Sequence, residues 1–211
     1  MSDVAVKICG INDAAAFDAA AAAGASYIGF VFFPPSPRNV TPEAAASLSA
    51  RCSGGPLRVG LFVDPTIEDI ANVLGEVALD VLQLYGSLAI EDVRTRFGLP
   101  VWKNVSVATS ADLPSDAAGA DALVLEAVPP SGATRPGGNA AHFDWSLLRD
   151  WSAPAPWVLA GGLTPRNVAA AIRTTRATTV DVSSGVERIR GLKDPALIRA
   201  FIERARSVYE V

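Results

Sequence analysis

The chain has one histidine, His142, and two cysteines, Cys9 and Cys52, in 211 residues. A single histidine excludes any metal site built from several imidazoles, and no metal is expected. It also leaves any Ser–His arrangement only His142 to use. Two cysteines give neither a disulfide framework nor metal-ligand spacing. Basic charge is not in excess: 18 Lys and Arg stand against 22 Asp and Glu, a net charge of −4. There is thus no electrostatic footprint for nucleic acid, and an anionic substrate must be drawn by local groups rather than by the whole field. Apolar runs are too short, or too interrupted by Gly, Pro and charge, to cross a bilayer. The opening residues pass from Met1 to a strand-like Val4-Ala5-Val6-Lys7-Ile8-Cys9 without a signal pattern. A cytoplasmic protein with neither nucleic-acid nor membrane partners is expected.

What the chain does have is apolar content, 50% hydrophobic against 19% charged, which fits a globular fold. This length predicts one domain over 1–211 with a sizeable core. Strand-like runs recur near 4–9, 27–33, 58–63, 80–85, 100–105, 121–126, 156–160 and 179–183, separated by helix-like segments. Thr66 precedes apolar residues at Ile67, Ile70, Val73 and Leu74, a helical stripe behind an N-cap with Asp69 at the third helical position. Thr164-Pro165 and Asp194-Pro195 read as N-cap and first helical residue of two more helices, the second running from Ala196 to Val208. A very short helix is expected around Asp144 to Trp151. The strands are nearly continuous apolar runs, as when both faces are buried. Eight strand–helix units of about 26 residues predict an α/β fold, the (β/α)8 TIM barrel; a doubly wound open sheet would usually need only five or six strands.

In such a barrel the chemistry sits at the C-terminal ends of the strands. That rule selects Lys7 and Cys9, Gln83 and Tyr85, Lys103, Glu126, and Asp181 and Ser183, with Arg38 in the loop after the second strand. Ala160-Gly161-Gly162-Leu163 and Val182-Ser183-Ser184-Gly185 end the seventh and eighth strands. Loops in those places commonly hold phosphate, with backbone N–H groups approaching the anion at the positive end of a helix. A barrel holding a phosphorylated small molecule is the expectation. Cys9, before Gly10, is either a base or nucleophile helped by Lys7, or a buried inert thiol. Glu126 closes the apolar run Ala122-Leu123-Val124-Leu125 and is either a paired structural carboxylate or a general acid. Arg38 is either a bidentate clamp for a carboxylate or phosphate, or an exposed loop residue. His142 and Cys52 read as a loop and a structural residue.

Taken together, these segments resemble a known family over nearly the whole chain. The residues that carry the resemblance are Lys7-Ile8-Cys9-Gly10, Ser36-Pro37-Arg38, Gly60-Leu61-Phe62-Val63, Leu82-Gln83-Leu84, Phe143-Asp144-Trp145, Ala160-Gly161-Gly162-Leu163, Asp181-Val182-Ser183-Ser184-Gly185-Val186-Glu187 and Lys193-Asp194. In this order and spacing they are similar to the phosphoribosylanthranilate isomerases of tryptophan biosynthesis. The resemblance implies a cofactor-free Amadori rearrangement of N-(5-phosphoribosyl)anthranilate to 1-(2-carboxyphenylamino)-1-deoxyribulose 5-phosphate. It assigns Cys9 as general base and Glu126 as general acid, and Arg38 to the anthranilate carboxylate. Asp181 falls beside the sugar hydroxyls, with Lys7 and Gln83 as further substrate-binding residues. Gly161, Gly162, Ser183 and Ser184 fall on the phosphate, and the protein is expected to be a monomer or homodimer. Two other readings stay open: a non-catalytic phosphosugar-binding barrel descended from the family, and an isomerase or epimerase of another phosphosugar.

Four positions depart from the family pattern. Glu126 replaces the usual Asp, lengthening the acid by one C–C bond, about 1.5 Å. Tyr85 stands where the family has His. Gly137-Gly138-Asn139-Ala140 ends in Ala where Gly is usual, and Arg188-Ile189-Arg190-Gly191 replaces a run of small residues. A displaced acid predicts a slower or re-aimed isomerase, since a misplacement of about 1 Å can cost on the order of 10²-fold.

Overall fold

The computed structural model describes residues 4–129, 132, 137 and 142–208. Eight parallel strands close into a barrel in chain order, with β8 pairing back onto β1. They are β1 (Ala5–Cys9), β2 (Tyr27–Phe32), β3 (Leu57–Val63), β4 (Val81–Tyr85), β5 (Val101–Val107), β6 (Ala122–Ala127), β7 (Trp157–Leu159) and β8 (Thr179–Val182). The helices between them are α1 (Ala14–Ala22), α2 (Pro42–Ser49), α3 (Ile67–Glu76), α4 (Ile90–Phe97) and α5 (Val168–Thr175), and α6 (Pro195–Arg206) closes the ring. No helix among the described residues is long and apolar enough to cross a membrane.

Alternation along the strands sorts side chains into two compartments. One parity faces the helices, where Ile8, Ile28, Phe30, Leu82, Leu123, Leu125 and Val180 join a continuous core with Phe17, Ile70, Val93 and Phe201. The other parity fills the barrel: Tyr27, Val59, Val81, Trp102, Ala122, Val124, Val158 and Ala160 pack together across the interior. Nearer the C-terminal ends of β1 to β4, Cys9, Val31 and Leu61 form a separate cluster with Phe33, Val63 and Tyr85. The interior is therefore a solid plug below and a cup above, and the cup holds the polar residues of the inward parity.

Local chemistry explains most helix starts. Thr66 caps α3 in a reciprocal box: its Oγ1 accepts from Asp69 N at 3.1 Å, and Asp69 Oδ2 accepts from Thr66 N at 2.8 Å. Asp194 caps α6 by accepting from Ala196 N at 2.7 Å. The Thr164-Pro165 start is different from expectation. Thr164 opens a turn whose end, Asn167, bonds back to the Thr164 N–H, and α5 begins only at Val168. The short segment after β6 forms a single 3-10 turn, Trp145–Leu148, rather than an α-helix. After β8 comes another 3-10 turn, Ser184–Val186, and a hairpin of β9 (Glu187–Ile189) and β10 (Leu192–Lys193) before α6. Neither glycine- or serine-rich loop thus runs directly into an α-helix, so an anion there would meet loop N–H groups rather than the end of a long helix dipole.

Candidate active site

The inward parity at the C-terminal ends of the strands brings the titratable residues together. A cavity open to solvent is lined by Cys9, Val31, Phe33, Ser36, Arg38, Leu61, Val63, Tyr85, Glu126, Gly137, Asp181 and Ser183. A smaller cavity adjoins it, sharing Glu126, Asp181 and Ser183 and adding Gly161, Gly162, Leu163 and Ser184. Its glycines have φ of 82° and 62°, a conformation that costs a side chain but not glycine. The apolar side chains Val31, Phe33, Leu61 and Val63 line the first cavity, and glycines and serines line most of the second. That division suits an aromatic group at one end and a small anion at the other.

Cys9 ends β1 and is buried, 5% exposed. Burial raises its thiol above the ordinary range, and the Lys7 ammonium draws it back only in part. Lys7 is fully buried two residues earlier and bonds Asp181 Oδ1 at 3.0 Å, across the β1–β8 pairing that sets the two side by side. Burial alone would lower the Lys7 pKa; Asp181 and Cys9 outweigh it and hold the ammonium above its usual value. Lys7 lines neither cavity, so its reach is electrostatic, through Asp181 and Cys9. Gln83 is likewise buried below the cavities and donates to Asn104 Oδ1 at 3.3 Å. Lys103 has the opposite parity: its strand partners Leu84 and Leu123 belong to the helix-side core, which turns it away from the cup. His142 is exposed, with its ring 5.4 Å from that of Trp145.

Glu126, on β6, is 7% exposed and accepts a hydrogen bond on Oε2 from the Tyr85 hydroxyl at 2.8 Å. Gly137 lies directly over that bond. A Cβ there would fall 2.6 Å from the Tyr85 oxygen and 2.8 Å from Glu126 Oε2, so only glycine fits without a shift. The other members of the departing Gly-Gly-Asn-Ala run, Gly138, Asn139 and Ala140, lie outside the described residues.

Arg38 is 3% exposed, not a free loop residue. Its Nε and Nη2 grip Glu187 Oε1 and Oε2 at 2.5 and 3.0 Å. Nη1 makes no hydrogen bond within the described residues, so a substrate carboxylate would be met by the Nη1–Nη2 edge. The same Glu187 accepts from Lys193 Nζ at 3.1 Å, and Lys193 also donates to Ser183 O at 2.8 Å. Burial would raise the Glu187 carboxyl, but Arg38, Lys193 and the Gly191 N–H hold it below its usual range. Lys193, 2% exposed, is pushed by burial down to about 8, against the pull of Glu187. This chain of contacts ties the arginine loop to the serine loop. Sequence reasoning missed the roles of Glu187 and Lys193; both stand in the quoted motifs, but nothing local marks charged residues of a hairpin as partners of Arg38.

A closed parallel barrel with a thiol, carboxylates and an arginine gathered in the cup at its strand ends defines an enzyme of the (β/α)8-barrel class. Residues 6–204 match the family model described as N-(5'phosphoribosyl)anthranilate (PRA) isomerase. The chain is 53% identical over 205 residues to the N-(5'-phosphoribosyl)anthranilate isomerase of Granulibacter bethesdensis, covering 96% of this chain and 98% of that one. The crystal structure of phosphoribosyl anthranilate isomerase from Thermotoga maritima matches it with a TM-score of 0.83 at 35% identity, over 97% of this chain and 99% of that one. A structure of phosphoribosyl anthranilate isomerase in complex with reduced 1-(o-carboxyphenylamino)-1-deoxyribulose 5-phosphate matches with a TM-score of 0.82 at 35% identity, over the same shares. The chain belongs to the N-(5'-phosphoribosyl)anthranilate isomerase family.

Proposed function

We propose that this chain converts N-(5'-phosphoribosyl)anthranilate to 1-(2-carboxyphenylamino)-1-deoxyribulose 5-phosphate in tryptophan biosynthesis, with Glu126 as general acid and Cys9 as general base. The observation that carries the assignment of roles is that Cys9 and Glu126, three strands apart around the ring, line one cavity together with Arg38. In this reading the anthranilate ring lies on Val31, Phe33, Leu61 and Val63, with its carboxylate on the outer edge of Arg38. The phosphate enters the adjoining cavity, where Gly161, Gly162, Ser183 and Ser184 receive it, and the ribose spans Glu126 and Asp181.

The chemistry then follows from position. Glu126 gives a proton to the furanose ring oxygen as the C1′–O bond breaks and the nitrogen lone pair closes a Schiff base. The Cys9 thiolate takes the C2′ proton, and the resulting enolamine tautomerises to the ketone. Lys7 and Asp181 act on the charge of that thiolate from behind. No cofactor enters these steps. The extra methylene of Glu126 is accommodated where Tyr85 meets it, which supports a working acid rather than a lost one.

Turnover of freshly generated substrate, followed by loss of anthranilate-type fluorescence, tests the reading. Wild type is expected to turn over, with C9A and E126Q each slower by about 10²–10⁴-fold. Folded wild type that binds substrate without turnover would instead support a non-catalytic binding barrel.

A further inference from the structure

We infer that Tyr85 is a positioning residue for the acid: its hydroxyl, donating to Glu126 Oε2, holds the longer carboxyl in its working orientation and stabilises the carboxylate left when the proton passes to substrate. This rests on the reading of Glu126 as general acid.

Three observations carry it. The bond has an ordinary O–H···O length, 2.8 Å, and joins β4 to β6 across the intervening β5. Rigid strands at both ends therefore set the distance, not a mobile loop. Both residues line the cavity that also contains Cys9 and Arg38, so the bond sits beside the reacting region. Gly137 closes over the pair so tightly that a single added carbon would strike both oxygens. An aspartate at this position, shorter by one C–C bond of about 1.5 Å, would withdraw from the phenol. The tyrosine and the glutamate thus fit each other in length.

The direction of the bond is also determined. Burial, then the Glu126 carboxylate, push the Tyr85 phenol well above its ordinary value, so it stays protonated and donates. Cys9 and Asp181 are the other titratable groups that act on the phenol, and both push the same way. Once the proton has passed to substrate the acceptor is charged, which strengthens the bond. Because the donor favours the ionised carboxyl, removing it makes the carboxyl hold its proton to higher pH.

The test compares wild type, Y85F, E126Q, E126D and Y85F/E126D in steady-state kinetics across pH. In Y85F, kcat is expected to fall about tenfold or more, with KM within about twofold, because binding groups are untouched. The limb of the rate profile set by the carboxyl should move up by about one pH unit. Adding Y85F to E126D should cost little, since Asp no longer reaches the phenol. Wild-type kcat and an unmoved limb in Y85F, with E126Q inactive, would overturn the positioning role and leave the acid assignment standing. Full activity in E126Q would overturn both. Should Y85F fail to fold, 3-fluorotyrosine in a Y27F/Y209F chain keeps the ring and strengthens the donor. There the limb should move down, and an unmoved limb would overturn the role.

Discussion

Arg38 and Glu187 lie 149 residues apart in sequence and meet in a two-point grip at the mouth of the barrel, Nε on Oε1 at 2.5 Å and Nη2 on Oε2 at 3.0 Å. The pair fixes the guanidinium plane, so the face it offers to the cavity is set before any ligand arrives. Glu187 also carries Lys193, which holds the Ser183 carbonyl. One carboxylate therefore organises both ends of the proposed substrate site.

Removing that carboxylate should be costly. E187A leaves two buried cations facing each other without their shared partner, and a loss of about 3 kcal/mol in urea unfolding is expected. R38K should fold better but bind worse, because an ammonium cannot hold Glu187 at two points and still present a donor edge. A rise in substrate KM of about tenfold is expected. Unchanged KM in R38K would remove Arg38 from the binding site.

The Cys9 thiol is raised by burial, so it should resist ionisation. In a C52S chain, where Cys9 is the remaining thiol, the rate of iodoacetamide alkylation should titrate with a midpoint above 9, the value for an unperturbed thiol. The thiolate is then the minor form at neutral pH, and kcat/KM should rise with pH towards the same midpoint. A midpoint below 9 would mean that Lys7 outweighs burial.

Lys193 titrates in the other sense. Its folded value of about 8 lies below the ordinary 10.5, chiefly because of burial. Between those values the unfolded chain binds more protons than the folded one, so this group's contribution to stability rises with pH. The stability of wild type relative to K193M should improve by about 2 kcal/mol between pH 7.5 and 10. Urea unfolding at the two pH values checks it; a constant difference would show that Lys193 stays charged through the window.

Gly137 is expected to be intolerant for reasons of space. In G137A the added carbon meets the Tyr85 and Glu126 oxygens at 2.6 and 2.8 Å, so the loop or the pair must move. A loss of about tenfold or more in kcat/KM is expected. Combining it with Y85F, which removes the nearer oxygen, should cost less than the sum of the two changes.

Much of this architecture was legible in the sequence. The eight apolar runs fall within a residue or two of the eight strands, because burial on both faces leaves an unbroken hydrophobic signature. Parity along those runs, with Cys9 two after Lys7 and Glu126 two after Val124, already separates the cup from the helix-side core, and it would have excluded Lys103. The Thr66 and Asp194 caps depend on neighbours a few residues away and were equally readable. Thr164 was not, since its hydroxyl takes the Arg166 N–H while Asn167 takes the Thr164 N–H, and this turn delays the helix to Val168.

Closure of the barrel decided the rest. Lys7 finds Asp181 174 residues away, Arg38 finds Glu187, and Tyr85 finds Glu126, each through strands or loops that only the closed ring makes adjacent. Sequence alone determined which residues share a face along each strand, because that follows from a period of two. Which inward charges pair, and which remain to face a ligand, depends on the register between strands and on hairpins folding back over the mouth. Those are long-range contacts, and no local pattern specifies them.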